Sequence, residues 1–297
     1  MNILTFDIEE WFLEKRNHGN RPDRIKAFDQ FLNDILDLLD ELQIKATFFC
    51  VGRVAVDFPR VPKLIDSRGH EIGCHSNCHT WLNKMSETEV LQDTREAVDS
   101  LEQCIGRKIL SYRAPAFSIG NSNAWAFEVL ANCGIERDAS VFPAARDFGG
   151  FPDFGHKTPV IIERQGVRIK EFPICTTSIL GKEFAFSGGG YFRFFPYWFI
   201  KREIAHGSYN MCYFHISDLL RSTNKMMSRA EYEVYFKEPG SLLNRYKRYL
   251  KSNLGKSNAW PKLKKTIRSL AFINLDDADS IIDWNNVPTV ILSDSIL

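Results

Sequence analysis

The chain has 297 residues, 44% apolar and 25% charged, and its 38 Lys/Arg nearly balance 37 Asp/Glu for a net charge of +1. This is the composition of a soluble globular protein, with no global field for nucleic acid or an acidic polymer. The opening "MNILTFDIEE" does not read as a secretory signal, "YFRFFPYWFI" is too interrupted to span a membrane, and seven irregularly spaced cysteines read as reduced thiols of the cytoplasm rather than a disulfide framework.

In chain order, "NILTF" predicts a short buried strand ending at Asp7. Ile25, Phe28, Phe31, Leu32, Ile35, Leu36, Leu39 and Leu42 then recur at helical spacing with acids between them. "ATFFCVG" reads as a strand stopped by Gly52, and "HEIGCH" as another leading into a polar turn. Ser86 followed by Glu89 has the form of a capping box for a helix carrying Val90, Leu91, Val98 and Leu101. "ILSYRAP" is a strand broken by Pro115, and residues 122–133 form a helix. Strand and helix alternate through about the first 140 residues, which predicts a parallel α/β sheet or barrel. "PVIIERQGVRIKEFPI" then reads as a β-hairpin turning at Gln165-Gly166, "MCYFH" as a strand, and the last sixty residues as helices followed by the strand "VPTVIL". The expectation is one elaborated α/β barrel over 1–297, with a core over about 1–220 and a basic helical extension over 221–297.

Asp7, His75, Arg113 and His215 all fall at or just beyond the C-terminal ends of predicted strands, the end where loops of parallel α/β proteins converge. Alternation puts Asp7 and Glu9 on one side, either as a working pair of carboxylates or as solvated acids at a strand end. His75 and His79 are four apart and share a face on a helical turn. Two imidazoles and a carboxylate leave positions open for water or substrate, whereas a closed site would recruit Cys74 and Cys78. Those cysteines are offset from the histidines by one residue and read as packing, and His70 reads as a surface or turn residue. Arg113 in "YRAP" suits a carboxylate or a surface ion pair. Asp138 in "ERDASVFP" fits a site acid or a turn former, and His215 in "YFHISD" ends a strand with Asp218 nearby.

Taken together and in order, "TFDIEEWF", "HSNCH", "YRAPAFSI", "RDASVF" and "YFH" resemble the five motifs of the polysaccharide deacetylase family, also called the NodB-homology or carbohydrate esterase family 4 enzymes, over roughly residues 3–220. "FPICTTSILGKEFAFSGGGYFRFFPYW" and the region 241–275 resemble a bacterial branch linked to exopolysaccharide and surface-glycan assembly. The resemblance implies a distorted (β/α)7-type barrel with an added hairpin and C-terminal helices, and a metal-dependent hydrolase that removes an N-acetyl group from a sugar. It makes Asp7 the general base, Glu9, His75 and His79 the metal ligands, and Arg113 the group that orients Asp7. It makes Asp138 tune the acid and His215 protonate the leaving amine. Two departures stand out: Ile8 separates the two acids of the first motif, making the ligand a glutamate one residue later, and Tyr213 replaces the usual leucine of the last motif. Zinc is the first expectation for the metal, with cobalt, nickel, iron or manganese as alternatives.

The tetrahedral oxyanion is expected beside a backbone N–H within 114–117. Trp11, Pro115, Phe117, Phe142, Tyr191 and Tyr213, with Phe192 and Trp198, are candidate pocket or sugar-stacking residues, against a reading as aromatic core. The segment 188–190 is three glycines, read as a close approach to substrate or a flexible turn. Residues 241–270 hold nine Lys/Arg and no acid, which suits contact with anionic lipid headgroups or a lipid-linked pyrophosphate sugar, or a solvated helical face. The expected substrate is an N-acetylated sugar on a lipid or nucleotide carrier, in the cytoplasm or at the inner face of the membrane. Alternatives are a small non-sugar amide as substrate, and a catalytically silent glycan-binding barrel.

Overall fold

The computed structural model describes residues 1–146, 149–221, 225–236 and 238–293. Parts of the expected C-terminal extension (222–224, 237 and 294–297) lie outside the described residues. The first half runs β1 (Asn2–Ile8), α1 (Glu10–His18), α2 (Pro22–Glu41), β2 (Thr47–Cys50), α3 (Gly52–Asp57), α4 (Arg60–Ser67), β3 (Glu71–Cys74), α5 (Glu87–Ile105), β4 (Ser111–Tyr112), α6 (Ala126–Asn132) and β5 (Arg137–Asp138). It continues through β6 (Val160–Arg164), β7 (Val167–Glu171), β8 (Thr176–Ile179), β9 (Lys182–Ala185), α7 (Gly189–Phe194), α8 (Tyr197–His206), β10 (Asn210–His215) and α9 (Ile216–Leu219). The last elements are α10 (Arg229–Phe236), α11 (Leu242–Asn253), α12 (Lys256–Ser269), α13 (Leu275–Ile281) and β11 (Thr289–Ile291).

Nine strands form one sheet in the order β10-β1-β2-β3-β4-β5-β7-β6-β11, and β8 pairs with β9 separately. From β10 to β7 seven strands are mutually parallel, the α/β arrangement that strand–helix alternation predicts. Among the described residues no ladder joins β10 to β11, and the edge strand β10 is instead bridged by Gly188. The β6–β7 hairpin is antiparallel and turns at Gln165 and Gly166, both at positive φ, as a two-residue turn between right-twisted strands requires.

Both faces of the sheet are buried, which is why its strands read as nearly continuous apolar runs. On β1, Leu4, Phe6 and Ile8 pack into the larger core under the helices, with Phe6 stacked on Phe48 at 5.0 Å. Alternation turns Ile3, Thr5 and Asp7 to the other face, where a smaller core gathers Phe49, Phe117, Phe142, Met211 and Tyr213. Asp7 therefore lies on the inner face of the sheet. The capping box is complete: the Glu89 N–H donates to Ser86 Oγ and the Ser86 N–H to Glu89 Oε2.

Three local readings change. His70 is buried, not at the surface: its Nδ1 accepts the Ala46 N–H at 3.3 Å, its ring packs on Phe48, and burial pushes its pKa down to about 4. The 188–190 segment is the start of α7 rather than a loop, and a side chain on Gly188 would overlap Tyr213, whose strand bridges Gly188 directly. Residues 75–80 contain no helical turn, a point that bears on the site.

Candidate metal centre and acid–base site

Strand register assembles the site. Asp7 on β1 pairs with His215 on β10, and one residue further along β1 a continuous row runs from Ile8 through Cys50, Cys74, Tyr112 and Asp138 to Glu171. His75 and Arg113 follow Cys74 and Tyr112 directly, so each functional side chain leaves the sheet at the same end.

The two histidines meet by a route that spacing did not reveal. Ser76 and His79 both adopt positive φ, and the irregular loop brings the imidazole centroids to 5.2 Å. Such a conformation costs on the order of 1 kcal/mol or more per non-glycine residue and persists only where the surroundings enforce it. Here the Asp93 carboxylate accepts the N–H groups of Asn77 and Cys78, while the Ser76 and Asn77 carbonyls accept the N–H groups of Gly52 and Arg53. Gly52 must be glycine, because a Cβ there would press on Asn77 and Ala97. Asp93 is one of several acids on α5, and nothing in the sequence distinguishes it.

Glu9, His75 and His79 each point one ligand atom at a common space, all within 4.8 Å of one another. Glu9 Oε2 lies 2.5 Å from His79 Nε2 and 3.6 Å from His75 Nε2. His75 Nδ1 is 2.7 Å from the Arg113 carbonyl, which only accepts, so Nδ1 carries a hydrogen and Nε2 is the ring nitrogen turned inward as a possible ligand. Burial alone would raise the Glu9 pKa, but the imidazoles of His79, His215 and His75 around it hold it well below the usual carboxylate range. A carboxylate and two imidazole nitrogens converging without another hydrogen-bond partner for Glu9 Oε2 fit a divalent cation with open positions. Cys74 and Cys78 stay out of this set: Cys74 is core, and burial raises the pKa of both thiols.

Beside the triangle, Asp7 Oδ1 accepts Arg113 Nη1–H at 2.9 Å. The fully buried Arg113 also donates to Thr5 Oγ1 and the Ala139 carbonyl and lies 4.2 Å over the Phe49 ring. Asp7 Oδ2 faces His215 Nε2 at 3.6 Å, and the other ring nitrogen of His215 is held by Asp218 Oδ2 at 2.7 Å. Burial would lower the His215 pKa, but Glu9, Asp218 and Asp7 raise it well above its ordinary value. Asp218 is in turn 3.5 Å from Arg193. Burial and the adjacent Glu9 push the Glu10 carboxyl up to about 7, and its Oε1 accepts the Ser217 N–H at 2.7 Å, tying the end of β1 to the His215 turn.

Asp138 sits elsewhere in this network than expected. Its oxygens accept from the Ser140 hydroxyl and N–H, and Ser140 Oγ accepts the Ala114 N–H. Asp138 thus braces the turn after Arg113, and Asp218 is the acid that touches His215. On its other side Asp138 abuts Glu171, whose Oε1 accepts the Val141 N–H. Two buried carboxyls in contact need a proton between them: burial raises both, and Asp138 raises Glu171 further, well above the usual range. The folded chain therefore keeps a proton that the unfolded chain releases, and stability falls as pH rises above the ordinary carboxylate range of about 4. Glu171→Gln keeps both hydrogen bonds without the proton. It should melt above the wild type at neutral pH, with the gap closing toward pH ~4. A melting series across pH checks this, and a variant less stable at every pH would refute the shared proton.

The aromatic candidates divide. Trp11 is core: it is fully buried, packs on Phe28 and donates its indole N–H to Asp29 at 3.0 Å, so it cannot stack on a sugar. Phe117, Phe142 and Tyr213 form a buried cluster beneath Arg113, Pro115 is buried beside it, and Phe192 packs on Phe214. Tyr191 is partly exposed, and Trp198 is exposed. Within the expected oxyanion stretch, the Ala114 and Phe117 N–H groups are already used by Ser140 and the Ala114 carbonyl. A groove of about 730 Å³ opens at His79 and is lined by Arg16, Trp81, Lys84, Met227 and Val234 among others. Trp81 was missed, although it lies only two residues beyond His79.

A His-His-carboxylate triangle flanked by an arginine-held aspartate and a carboxylate-held histidine, at the strand ends of a parallel sheet, is an arrangement suited to metal-assisted hydrolysis. Residues 3–137 match the family model described as polysaccharide deacetylase, and residues 139–278 match a domain of unknown function, DUF3473. Residues 3–137 thus carry a polysaccharide deacetylase domain, of the NodB-homology or carbohydrate esterase family 4 group. Similar curated proteins include a peptidoglycan-N-acetylglucosamine deacetylase of Bacillus cereus, 35% identical over 100 residues (33% of this chain, 36% of the relative). A chitooligosaccharide deacetylase of Sinorhizobium fredii is 29% identical over 109 residues (35% of this chain, 48% of the relative). The chain thus spans about a third to a half of the length of these relatives. The fold is shared with a crystal structure from Mycobacterium smegmatis assigned to the polysaccharide deacetylases, at 16% identity and TM-score 0.63, over 99% of this chain and 94% of that one.

Proposed function

We propose that the protein hydrolyses the N-acetyl group of a sugar in a bacterial surface polysaccharide or its precursor, releasing acetate and leaving a free amine. One observation carries this reading: Glu9, His75 and His79 converge beside Asp7, with His215 facing the same space. A divalent ion held by Glu9, His75 and His79, zinc first among the alternatives, supplies Lewis acidity toward the acetamide carbonyl and toward water. Asp7, fixed through Oδ1 by Arg113, presents Oδ2 to take the proton of the attacking water. His215, charged through Glu9, Asp218 and Asp7, gives a proton to the departing nitrogen, and Asp218 fixes its ring for that transfer. The groove beside Trp81 is the place for the sugar, with Tyr191 a further contact, and the carrier is a lipid or nucleotide in the cytoplasm or at its membrane.

Acetate release from nucleotide-linked, lipid-linked and free N-acetyl sugars, with and without a chelator, tests the proposal. Release that stops with the chelator and returns with zinc is expected. Intact acetamides throughout, with zinc bound, would remove the catalytic reading.

A further inference from the structure

The helix α11 is turned inside out. Leu242, Leu243, Tyr246 and Leu250, with Leu254 just beyond its end, fall on one face and are between 46% and 65% exposed. No residue of α11 is buried, and the face turned toward the protein is polar: Arg245 donates to the Met227 carbonyl, and Arg248 covers the Phe236 ring at 4.6 Å. A helix folded only for water places its leucines inward, and a contiguous apolar stripe left outside marks a contact surface.

The helix is fixed in place rather than trailing. Ser241 caps its start, and Arg193 donates to the Lys251 and Ser252 carbonyls at its end, while the same guanidinium lies beside Asp218, the partner of His215. The α10 helix packed against it supplies Val234 and Phe236 to the groove that opens at His79. The apolar stripe and the groove therefore belong to one helix pair.

Charge selects the occupant. Residues 241–270 contain nine Lys/Arg and no acid, and the exposed Lys247 and Lys251 border the stripe. A second copy docking face to face would set this basic segment against itself. An anionic lipid surface instead takes the leucines among its acyl chains and the lysines at its headgroups. Among the described residues no helix is long and apolar enough to cross a membrane, so the contact is with its surface.

We infer that α11 docks the protein on an anionic membrane and thereby brings the groove beside His79 to the lipid surface. On the deacetylase reading, on which this consequence rests, the acetamide is then met on a membrane-held carrier.

Sedimentation of the full chain with vesicles of phosphatidylcholine, alone or mixed with phosphatidylglycerol, tests the docking without any need for catalysis. Binding should rise with phosphatidylglycerol and fall with salt. The double variant Leu243→Asp/Leu250→Asp should bind at least about tenfold more weakly with unchanged circular dichroism, and Lys247→Glu/Lys251→Glu should lose the preference for phosphatidylglycerol. A Leu250→Trp reporter should shift to the blue on the mixed vesicles. Failure to sediment with either vesicle overturns the proposal, as does a dimer in solution that the aspartate variant dissociates. In a parallel assay the aspartate variant should slow acetate release from an N-acetylglucosaminyl lipid in vesicles but not from soluble chitooligosaccharides. Loss of release from both by the wild type would count against the deacetylase reading and leave the docking result standing.

Discussion

Asp7→Asn should reduce acetate release by about 10²- to 10⁴-fold, the contribution of a positioned general base, while zinc remains bound. The substitution keeps the shape of the side chain and an oxygen for Arg113 Nη1, but it removes the carboxylate proposed to accept the proton. Asp7 is outside the triangle of Glu9, His75 and His79, so titration calorimetry should find zinc affinity little changed. The stability cost should be large. Arg113 has no exposure to water and Asp7 almost none, and removing one partner of a buried pair costs roughly 3–5 kcal/mol because a bare charge remains. The cation–π contact with Phe49 and the neutral bonds to Thr5 and Ala139 should keep the loss toward the lower end. Near-wild-type release by a zinc-loaded Asp7→Asn chain would transfer the base to another group.

Glu9→Gln and His79→Ala should each weaken zinc binding by at least about 100-fold, since loss of even an outer hydrogen bond to a ligand costs 10–100-fold. Glu9 Oε2 lies against both imidazole nitrogens, and no other carboxylate among the described residues joins them in a set of three. Glutamine retains the size of the side chain but removes its charge. Thermal melting gives a readout independent of activity: at zinc near 100 times its dissociation constant the wild type should gain about 2.7 kcal/mol, and the variants should gain almost none. An unchanged zinc-dependent shift in Glu9→Gln would remove Glu9 from the ligand set and with it the reading of the altered first motif.

The ligand and acid–base candidates were legible because each belongs to a short motif at a strand end, and parallel register carries strand ends to one place. Asp7, His75, Arg113 and His215 were grouped by strand position, and Glu9 and His79 joined them through alternation, four-residue spacing and the family motifs. The same logic misassigned Asp138. Its strand end aligns with the others, but Ser140 and Glu171 hold its carboxyl, while Asp218, one turn past His215, reaches the imidazole. Trp11 failed for a related reason. A tryptophan two residues past a metal-ligand candidate is near the site in sequence, yet the direction of α1 points it into the helical core.

By itself the sequence determined the parallel α/β order, the hairpin at Gln165-Gly166, the capping box at Ser86 and the placing of Asp7, His75, Arg113 and His215 at strand ends. Each of these rests on periodicity or on contacts between residues close in the chain. Only the tertiary structure decided how His75 and His79 meet, that Glu171 lies buried against Asp138, and that the leucines of α11 face outward. Those outcomes depend on which distant backbone or side chain occupies the neighbouring volume. The pattern of α11 is amphipathic in either orientation, and the choice between them belongs to the packing of Arg193, Met227 and Phe236 around it.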